Sequence, residues 1–210
     1  MFKSFYYKEF LNVFSLNYIN KLKENILNSP YLTKNHLNYN FNSTLGFSVV
    51  FKKNKIDYAI SKFPYFDEYI KKIFDKNISI YYLNPLVIPI NGKVGKHIDY
   101  SLNTYCYNIN FPKKVSVLYI SCKNINGGNL NLIKRNKIIA TIEPLENKLV
   151  IFKGNLKHEV TKVINLDENY RISLVCEMYN VSDSNLEKIP DFFIRSKASF
   201  KTFLEQEVKE

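Results

Sequence analysis

The sequence has no tryptophan, only three cysteines and no long uninterrupted run of apolar residues. No apolar segment approaches the roughly 18 residues of a membrane-spanning helix, so we expect no such helix. The stretch Met1 to Tyr7 lacks an apolar core followed by small residues, which predicts no signal peptide. Cys106, Cys122 and Cys176 are odd in number and show no Cys-x-x-Cys spacing, which favours a reducing, cytoplasmic setting.

Acidic residues are scarce relative to basic ones, 19 against 30, and the formal net charge is +11. Such a balance can indicate a nucleic-acid or membrane partner. Here the lysines are scattered along the whole chain, with only short pairs such as Lys52-Lys53 and Lys71-Lys72. No clustered stripe appears, so we favour a solvated basic surface over a nucleic-acid groove and expect no membrane partner.

At 210 residues, of which 46% are apolar, the chain is long enough to bury a substantial core as a single domain, residues 1–210. Near its start, Ser15 resembles a helix N-cap, and apolar residues recur at helical spacing from Tyr18 to Ile26. A second helix is predicted from Pro64 to Lys76. These elements define an N-terminal region of helices and strands, residues 1–77.

From Ile78 to Met178 the pattern changes to short strands separated by Gly and Asn turns. This pattern is typical of a barrel or a two-sheet jelly roll, so we expect a mainly β fold with flanking helices and a jelly-roll core over residues 78–180. Helical spacing returns over residues 185–210, which predicts a C-terminal helical extension within residues 181–210.

Histidine is scarce as well, with only His36, His97 and His158. His97-Ile98-Asp99 lies between two strand-like segments, and alternate residues of a strand face the same side. We therefore expect His97 and Asp99 to project together, with Ile98 on the opposite side. An imidazole beside a carboxylate supplies two ligands of a mononuclear metal site.

His158 is the better candidate for a third ligand, because it follows an apolar run, residues 149–152, and opens another. A turn at residues 165–169 and the segment 170–176 then predict a hairpin. We interpret His36 as an exposed loop histidine. Two histidines and one aspartate form the facial triad of non-haem Fe(II) oxygenases.

Arginine accounts for only three of the 30 basic residues: Arg135, Arg171 and Arg195. Arg171 stands in an apolar strand, with Ser173 on the same strand face. A planar two-pronged donor in such a place is suited to a buried carboxylate.

The order His-x-Asp, distal His and Arg-x-Ser resembles the Fe(II)/2-oxoglutarate-dependent dioxygenases, most closely their prolyl 4-hydroxylase-like group. The strand from Val115 to Ser121, the turn Gly127-Gly128-Asn129-Leu130 and the segment from Pro144 to Phe152 resemble further parts of that family. The resemblance covers about residues 80 to 180. One departure is Val87-Ile88-Pro89, where the resembled prolyl hydroxylases have a tyrosine.

The resemblance implies a double-stranded β-helix with a cupin-like barrel and Fe(II) held by His97, Asp99 and His158. It implies that 2-oxoglutarate and O2 fill the open metal positions, with ascorbate as a possible supporting reductant. Arg171 would bind the far carboxylate of 2-oxoglutarate, with Ser173 and Tyr119 as hydroxyl donors.

The implied reaction converts 2-oxoglutarate to succinate and carbon dioxide while a C–H bond is hydroxylated. The substrate would be an amino acid, a peptide or a protein residue, with proline among the candidates. Two alternatives stay open: a nucleic-acid demethylase of the same chemistry and a non-catalytic barrel that binds metal and 2-oxoglutarate. The segments 31–60 and 100–112, the latter with Tyr100, Tyr105, Tyr107 and Phe111, are candidates for the substrate pocket, although these aromatics fit a core role equally well.

Overall fold

A computed structural model describes residues 5–35, 37, 39–41, 43–105, 109–165, 167 and 169–198. Its helices are α1 (Leu16–Leu27), α2 (Ile56–Lys62), α3 (Asp67–Ile73) and α4 (Asp183–Leu186). Its strands are β1 (Tyr7–Phe10), β2 (Thr33–Lys34), β3 (Leu45–Gly46), β4 (Ser48–Lys52), β5 (Ile80–Pro89), β6 (Val94–His97), β7 (Lys114–Ser121), β8 (Asn126–Gly127), β9 (Leu130–Lys134), β10 (Lys137–Ile142), β11 (Leu149–Lys153), β12 (Lys157–Val160), β13 (Val163–Asn165), β14 (Tyr170–Tyr179) and β15 (Phe192–Arg195).

The strands form a large sheet and a small one. The large sheet has nine strands in the order β1-β11-β7-β14-β5-β3-β2, with β4 and β15 joined at the β5 edge. The small sheet has the order β10-β9-β12-β6, and β8 pairs with β13 as a separate ribbon. The two main sheets face each other across a cavity that both of them line, so the predicted mainly β jelly roll is confirmed.

The large sheet has one face against the hydrophobic core and the other against the cavity, because successive side chains of its strands point to opposite faces. On β14, Ile172, Leu174 and Cys176 pack against the helices, while the residues between them face the cavity. Helix α1 begins after Ser15, whose hydroxyl accepts a hydrogen bond from the Tyr18 amide, as the N-cap prediction required. Burial of its four apolar side chains contributes about 1.5–3 kcal/mol each, which anchors the helix layer and fixes the back of the sheet.

The predicted hairpin after His158 is wrong. Strand β12 pairs with β6 and β9 in the small sheet, whereas β14 pairs with β5 and β7 in the large sheet. The short strand β13 pairs with β8 instead. Strands that are consecutive in sequence need not be neighbours in a jelly roll, because here the chain crosses from the small sheet to the large one between β12 and β14.

The predicted C-terminal helix differs from the structure as well. Residues 183–186 form the short helix α4, but Phe192 and Ile194, which were assigned to a helical stripe, lie in β15. That strand pairs with β4 at the sheet edge, where the backbone hydrogen bonds of an extended chain outweigh a helical preference. Residues 199–210 lie outside the described residues. Helix α2 is a further element that the pattern did not predict, and the predicted helix at Pro64 begins with a 3-10 turn.

None of the helices in the described part of the chain has the length and apolar character needed to cross a membrane.

Candidate metal and cofactor site

A cavity of about 360 Å³ lies between the two sheets. Its wall on the large sheet is built by alternate residues of β5, β7 and β14, and its wall on the small sheet by residues of β6, β9 and β12. Four consecutive inward positions of β14 line it: Arg171, Ser173, Val175 and Glu177. The strand alternation therefore delivers one arginine and one glutamate to the same cavity.

His97, Asp99 and His158 converge on one side of this cavity. One ligand atom from each residue lies within 4.8 Å of the others. His97 and His158 form a directly opposed pair across β6 and β12, with ring centroids 4.3 Å apart. Asp99 follows two residues after the end of β6, and its carboxylate oxygens lie 3.4 Å from His97 Nε2 and 3.5 Å from His158 Nε2.

The side-chain alternation expected at His97-Ile98-Asp99 holds only in part. His97 and Asp99 do face the same cavity, but Ile98 also lines it. The regular strand ends at His97, so the pleat that would turn Ile98 to the opposite face is lost.

Backbone carbonyls fix the orientation of both imidazoles. His97 Nδ1 lies 2.7 Å from the Gly95 carbonyl oxygen, and His158 Nδ1 lies 3.2 Å from the Leu156 carbonyl oxygen. In the neutral form each Nδ1–H donates to its carbonyl, which leaves the lone pair of each Nε2 directed toward Asp99. Carbonyl groups that bind Nδ1–H in this way orient the imidazole so that its Nε2 can bind a metal.

The protonation of the three groups is coupled. Burial lowers the pKa of His97, but the hydrogen bond and charge of Asp99 outweigh it, so the pKa is raised from its ordinary value. For His158, burial prevails over the charge of Asp99 and the pKa is lowered. Burial would raise the pKa of Asp99, yet the charges and hydrogen bond of the two histidines hold it below its ordinary value. The Asp99 carboxylate therefore faces one imidazole that is protonated more readily than usual, His97, and one that is protonated less readily, His158.

The donor set fits a divalent metal ion. Asp99 is 8% exposed, and its Oδ2 has no hydrogen-bond partner among the described residues. A buried carboxylate oxygen without a donor is unfavourable unless a cation completes it. Two imidazoles and one carboxylate from one side of a cavity are the ligands of the facial triad, which suits Fe(II) and leaves adjacent positions open.

Arg171 lies deep in the same cavity and is 1% exposed. Its Nε donates to the Gly128 carbonyl oxygen at 3.0 Å, and its Nη1 donates to Ser173 Oγ at 3.3 Å. Among the described residues no carboxylate pairs with it. Burial lowers the pKa of the guanidinium, which nonetheless stays charged at neutral pH. A buried cation without a counter-ion is a binding site for an anion.

Tyr119 packs against Arg171, with its ring centroid 5.0 Å from the guanidinium carbon. The Tyr119 hydroxyl is buried and makes no hydrogen bond of normal geometry within the described residues, although it lies near the guanidinium. Ser173 Oγ accepts a hydrogen bond from Arg171, and its own O–H remains able to donate. Gly128 adopts φ +66°, and a Cβ there would lie 3.0 Å from Arg171 Cδ, so the Gly-Gly turn makes room for the arginine.

Glu177 is the functional candidate that the sequence analysis missed. It lies on the same face of β14 as Arg171 and is 5% exposed. Counting by twos from Arg171 along the predicted strand would have found it. Both segments expected to form the pocket contribute lining residues: Tyr39 and Asn40 from the first, Tyr100 and Ser101 from the second.

Three residues considered in the sequence, His36, Cys106 and Tyr107, lie outside the described residues. Of the other aromatics predicted near the pocket, Tyr100 lines the cavity, and its ring contacts that of Phe111 at an angle of 42°, with ring centroids 4.7 Å apart. Tyr105 packs against Phe193.

No family model and no curated protein matches the sequence. Solved structures do match. A prolyl-4-hydroxylase from Pseudomonas putida aligns over 84% of this chain and 93% of its own, with a TM-score of 0.56 and 14% identity. A prolyl hydroxylase from Trichoplax adhaerens, in complex with a hypoxia inducible factor peptide fragment, aligns over 86% of each chain, with a TM-score of 0.57 and 15% identity.

A viral collagen prolyl hydroxylase from Paramecium Bursaria Chlorella virus-1, in complex with 2OG, aligns over 84% of this chain and 97% of its own. Its TM-score is 0.51 and its identity 14%. At these identities the likeness defines the fold. The chain has the double-stranded β-helix fold of the prolyl hydroxylases and 2OG-Fe(II) oxygenases, which is the fold that the sequence motifs predicted.

Proposed function

We propose that this protein is an Fe(II)- and 2-oxoglutarate-dependent dioxygenase that hydroxylates a C–H bond of an amino acid, a peptide or a protein residue. One oxygen atom of O2 enters the new hydroxyl group, and the other enters succinate as 2-oxoglutarate loses carbon dioxide. The observation that carries the proposal is that one cavity holds both the His97, Asp99 and His158 cluster and the buried, unpaired Arg171.

His97, Asp99 and His158 would hold Fe(II), which supplies the oxygen chemistry when bound. The backbone carbonyls of Gly95 and Leu156 keep each Nδ1 protonated and each Nε2 free to bind. The cation would neutralise the charge of Asp99 and bind its Oδ2, which would offset the free-energy cost of burying that oxygen without a hydrogen bond.

Arg171 would bind the far carboxylate of 2-oxoglutarate. Hydrogen bonds to Gly128 and Ser173 hold its guanidinium group in place, so little side-chain entropy is lost when the anion binds. The Tyr119 hydroxyl, which lacks a partner of normal geometry, would donate to the same carboxylate. Val115, Val117 and Leu130 line the cavity, exclude water and strengthen each charged contact.

The proposed substrate class is supported by one of the structural neighbours. The Trichoplax adhaerens neighbour was solved with a peptide, which supports a peptide or protein substrate, proline included. A cytoplasmic setting is supported by Cys176, a buried thiol that forms no disulfide within the described residues.

The test is anaerobic binding of 2-oxoglutarate to the Fe(II)-loaded protein, followed by its metal-to-ligand charge-transfer absorption. We expect a band in the wild type, no band in His158→Ala, and an unchanged band in Lys157→Ala, which alters an exposed neighbour on the same strand. Equilibrium dialysis of Fe(II) against both variants separates loss of metal from loss of 2-oxoglutarate.

No band in folded, iron-loaded wild type would refute the proposal. A band with no succinate formed in air, with or without amino acids, peptides or nucleic acids, would instead identify a non-catalytic binding protein. Succinate formation that requires nucleic acid would identify the demethylase.

A further inference from the structure

Glu177 is a buried carboxylate that the proposed metal and 2-oxoglutarate sites do not use. It lines the cavity and is 5% exposed. Ser101 Oγ donates to its Oε1 at 2.5 Å, the Tyr179 hydroxyl donates to its Oε2, and the Ser101 amide lies 3.4 Å from the same oxygen. These donors hold the carboxyl group in one orientation against the cavity wall.

All of these donors are neutral. Within the described residues no lysine, arginine or histidine lies within 4.0 Å of the Glu177 carboxylate, so the group has no counter-ion. Burial and the nearby charge of Asp99 raise the pKa of Glu177 to about 8. Without a cation the group is therefore largely protonated at neutral pH, and a cation that enters the cavity favours its ionised form.

Glu177 lies too far from Arg171 for one molecule of 2-oxoglutarate to reach both. The two residues are six positions apart on β14, which places their Cα atoms about 20 Å apart at roughly 3.3 Å per residue. A five-carbon dicarboxylate anchored at Arg171 therefore leaves Glu177 for a second ligand.

A second cation lines the cavity on the other side of β5 from Glu177, because β14 pairs with β5, β5 with β4, and β4 with β15. Arg195 on β15 lines the cavity, donates to Thr104 Oγ1 at 3.2 Å and pairs with no carboxylate among the described residues. Burial raises the pKa of Tyr82, and the charge of Glu177 raises it further while that of Arg195 lowers it. Both charges therefore act on one cavity-lining phenol, whose hydroxyl makes no hydrogen bond of normal geometry within the described residues.

We propose that the substrate is a free amino acid, whose ammonium group is bound by Glu177 and whose carboxylate is bound by Arg195. This inference rests on the proposed function and specifies the substrate class of the same site. An ammonium group satisfies the unpaired carboxylate, and the amino acid's own carboxylate satisfies the guanidinium. The cavity volume of about 360 Å³ is near the lower end of the range for ligand sites, which favours a small substrate beside 2-oxoglutarate.

The experiment uses the anaerobic Fe(II)- and 2-oxoglutarate-loaded protein. Each of the twenty common amino acids is added, and binding is read from the perturbation of the charge-transfer band, with succinate release in air as a second readout. Every amino acid that responds is compared with its N-acetyl derivative and its methyl ester. The proteins are the wild type, Glu177→Gln, and Glu187→Gln as the matched change of an exposed carboxylate.

We expect at least one amino acid to bind, and its N-acetyl derivative to bind about 30-fold more weakly or worse, as for loss of one member of a buried charge pair. Glu177→Gln should weaken the free amino acid by a similar factor, leave the weak N-acetyl derivative unchanged and keep the 2-oxoglutarate band. Glu187→Gln should match the wild type. The methyl ester should bind less well than the free acid.

The inference is overturned if no free amino acid perturbs the band, if N-acetylation has no effect, or if Glu177→Gln weakens free and acetylated ligands equally. The last result would show that Glu177 only positions Ser101. In each of these cases an intact 2-oxoglutarate band leaves the proposed function standing, whereas loss of the band in the wild type removes both.

Discussion

Replacement of Arg171 by Gln tests the proposed cofactor pocket most directly. Ligand binding to the native state stabilises it by about 2.7 kcal/mol when the free ligand is at 100 times its dissociation constant. For a chain of this length each kcal/mol raises the melting temperature by roughly 2–4 °C, so saturating 2-oxoglutarate should raise that of the Fe(II)-loaded wild type by about 5–11 °C.

In Arg171→Gln the far carboxylate of 2-oxoglutarate would lose its proposed partner, which is the one buried lysine or arginine that lines the cavity among the described residues. Loss of one partner of such a pair costs about 2 kcal/mol or more, which weakens binding about 30-fold or more. The same ligand concentration then stabilises the variant by about 0.9 kcal/mol at most, a shift of roughly 2–4 °C. Arg171→Lys should fall between the two, because an ammonium group keeps the charge but not the two-pronged geometry.

The assay is anaerobic thermal unfolding followed by circular dichroism, with and without ligand. The control ligand is 2-oxopentanoate, which has the same carbon chain and lacks the far carboxylate. Its small stabilisation should be equal in wild type and Arg171→Gln. If 2-oxoglutarate stabilises Arg171→Gln as much as it stabilises the wild type, Arg171 does not bind the far carboxylate.

Three further predictions concern the neighbouring groups. Asp99→Asn should weaken Fe(II) binding by at least tenfold in equilibrium dialysis. The affinity of the wild type for Fe(II) should fall as the pH drops through the raised pKa of His97, because a protonated imidazole cannot bind the metal. An affinity that does not change with pH would contradict the triad. The pKa of Glu177 is about 8 in the folded state and about 4.5 in the unfolded state, so the folded state loses stability as the pH rises from 4.5 to 8. Glu177→Gln should therefore raise the melting temperature at pH 9 and leave it nearly unchanged at pH 5. Equal shifts at both pH values would argue against a buried carboxyl group without a counter-ion. Gly128→Ala should destabilise the protein by about 1–2 kcal/mol in urea unfolding, because φ is positive there, and should also weaken 2-oxoglutarate binding; unchanged binding would show that Arg171 does not depend on this turn.

The sequence was most informative where a local pattern determines the direction of a side chain. The Ser15 cap and the spacing from Tyr18 to Ile26 predicted α1 because helix geometry is local. His97 and Asp99 were expected on one side, and the structure brings them together with His158. The fold followed from the order of motifs that resemble a known family.

The sequence was least informative about which strands become neighbours. The segment that begins at His158 has the features of a hairpin strand, yet β12 pairs with β9 and with β6, and β6 lies more than fifty residues earlier in the chain. Strand pairing of this kind depends on contacts distant in sequence, which no local pattern encodes. Phe192 and Ile194 show the same effect, since helical spacing was overridden by an open sheet edge at β4.

The proposed metal ligands and the two charged residues of β14 lie on different sheets, which has a consequence for how the substrate could change in evolution. The three proposed metal ligands belong to the small sheet and the loop after β6, while Arg171 and Glu177 are at opposite ends of one strand in the large sheet. If both proposals hold, a substitution at position 177 would alter the charge presented to the substrate without moving the backbone that positions Arg171. Single changes along β14 would then alter substrate choice and leave the proposed metal and 2-oxoglutarate sites intact.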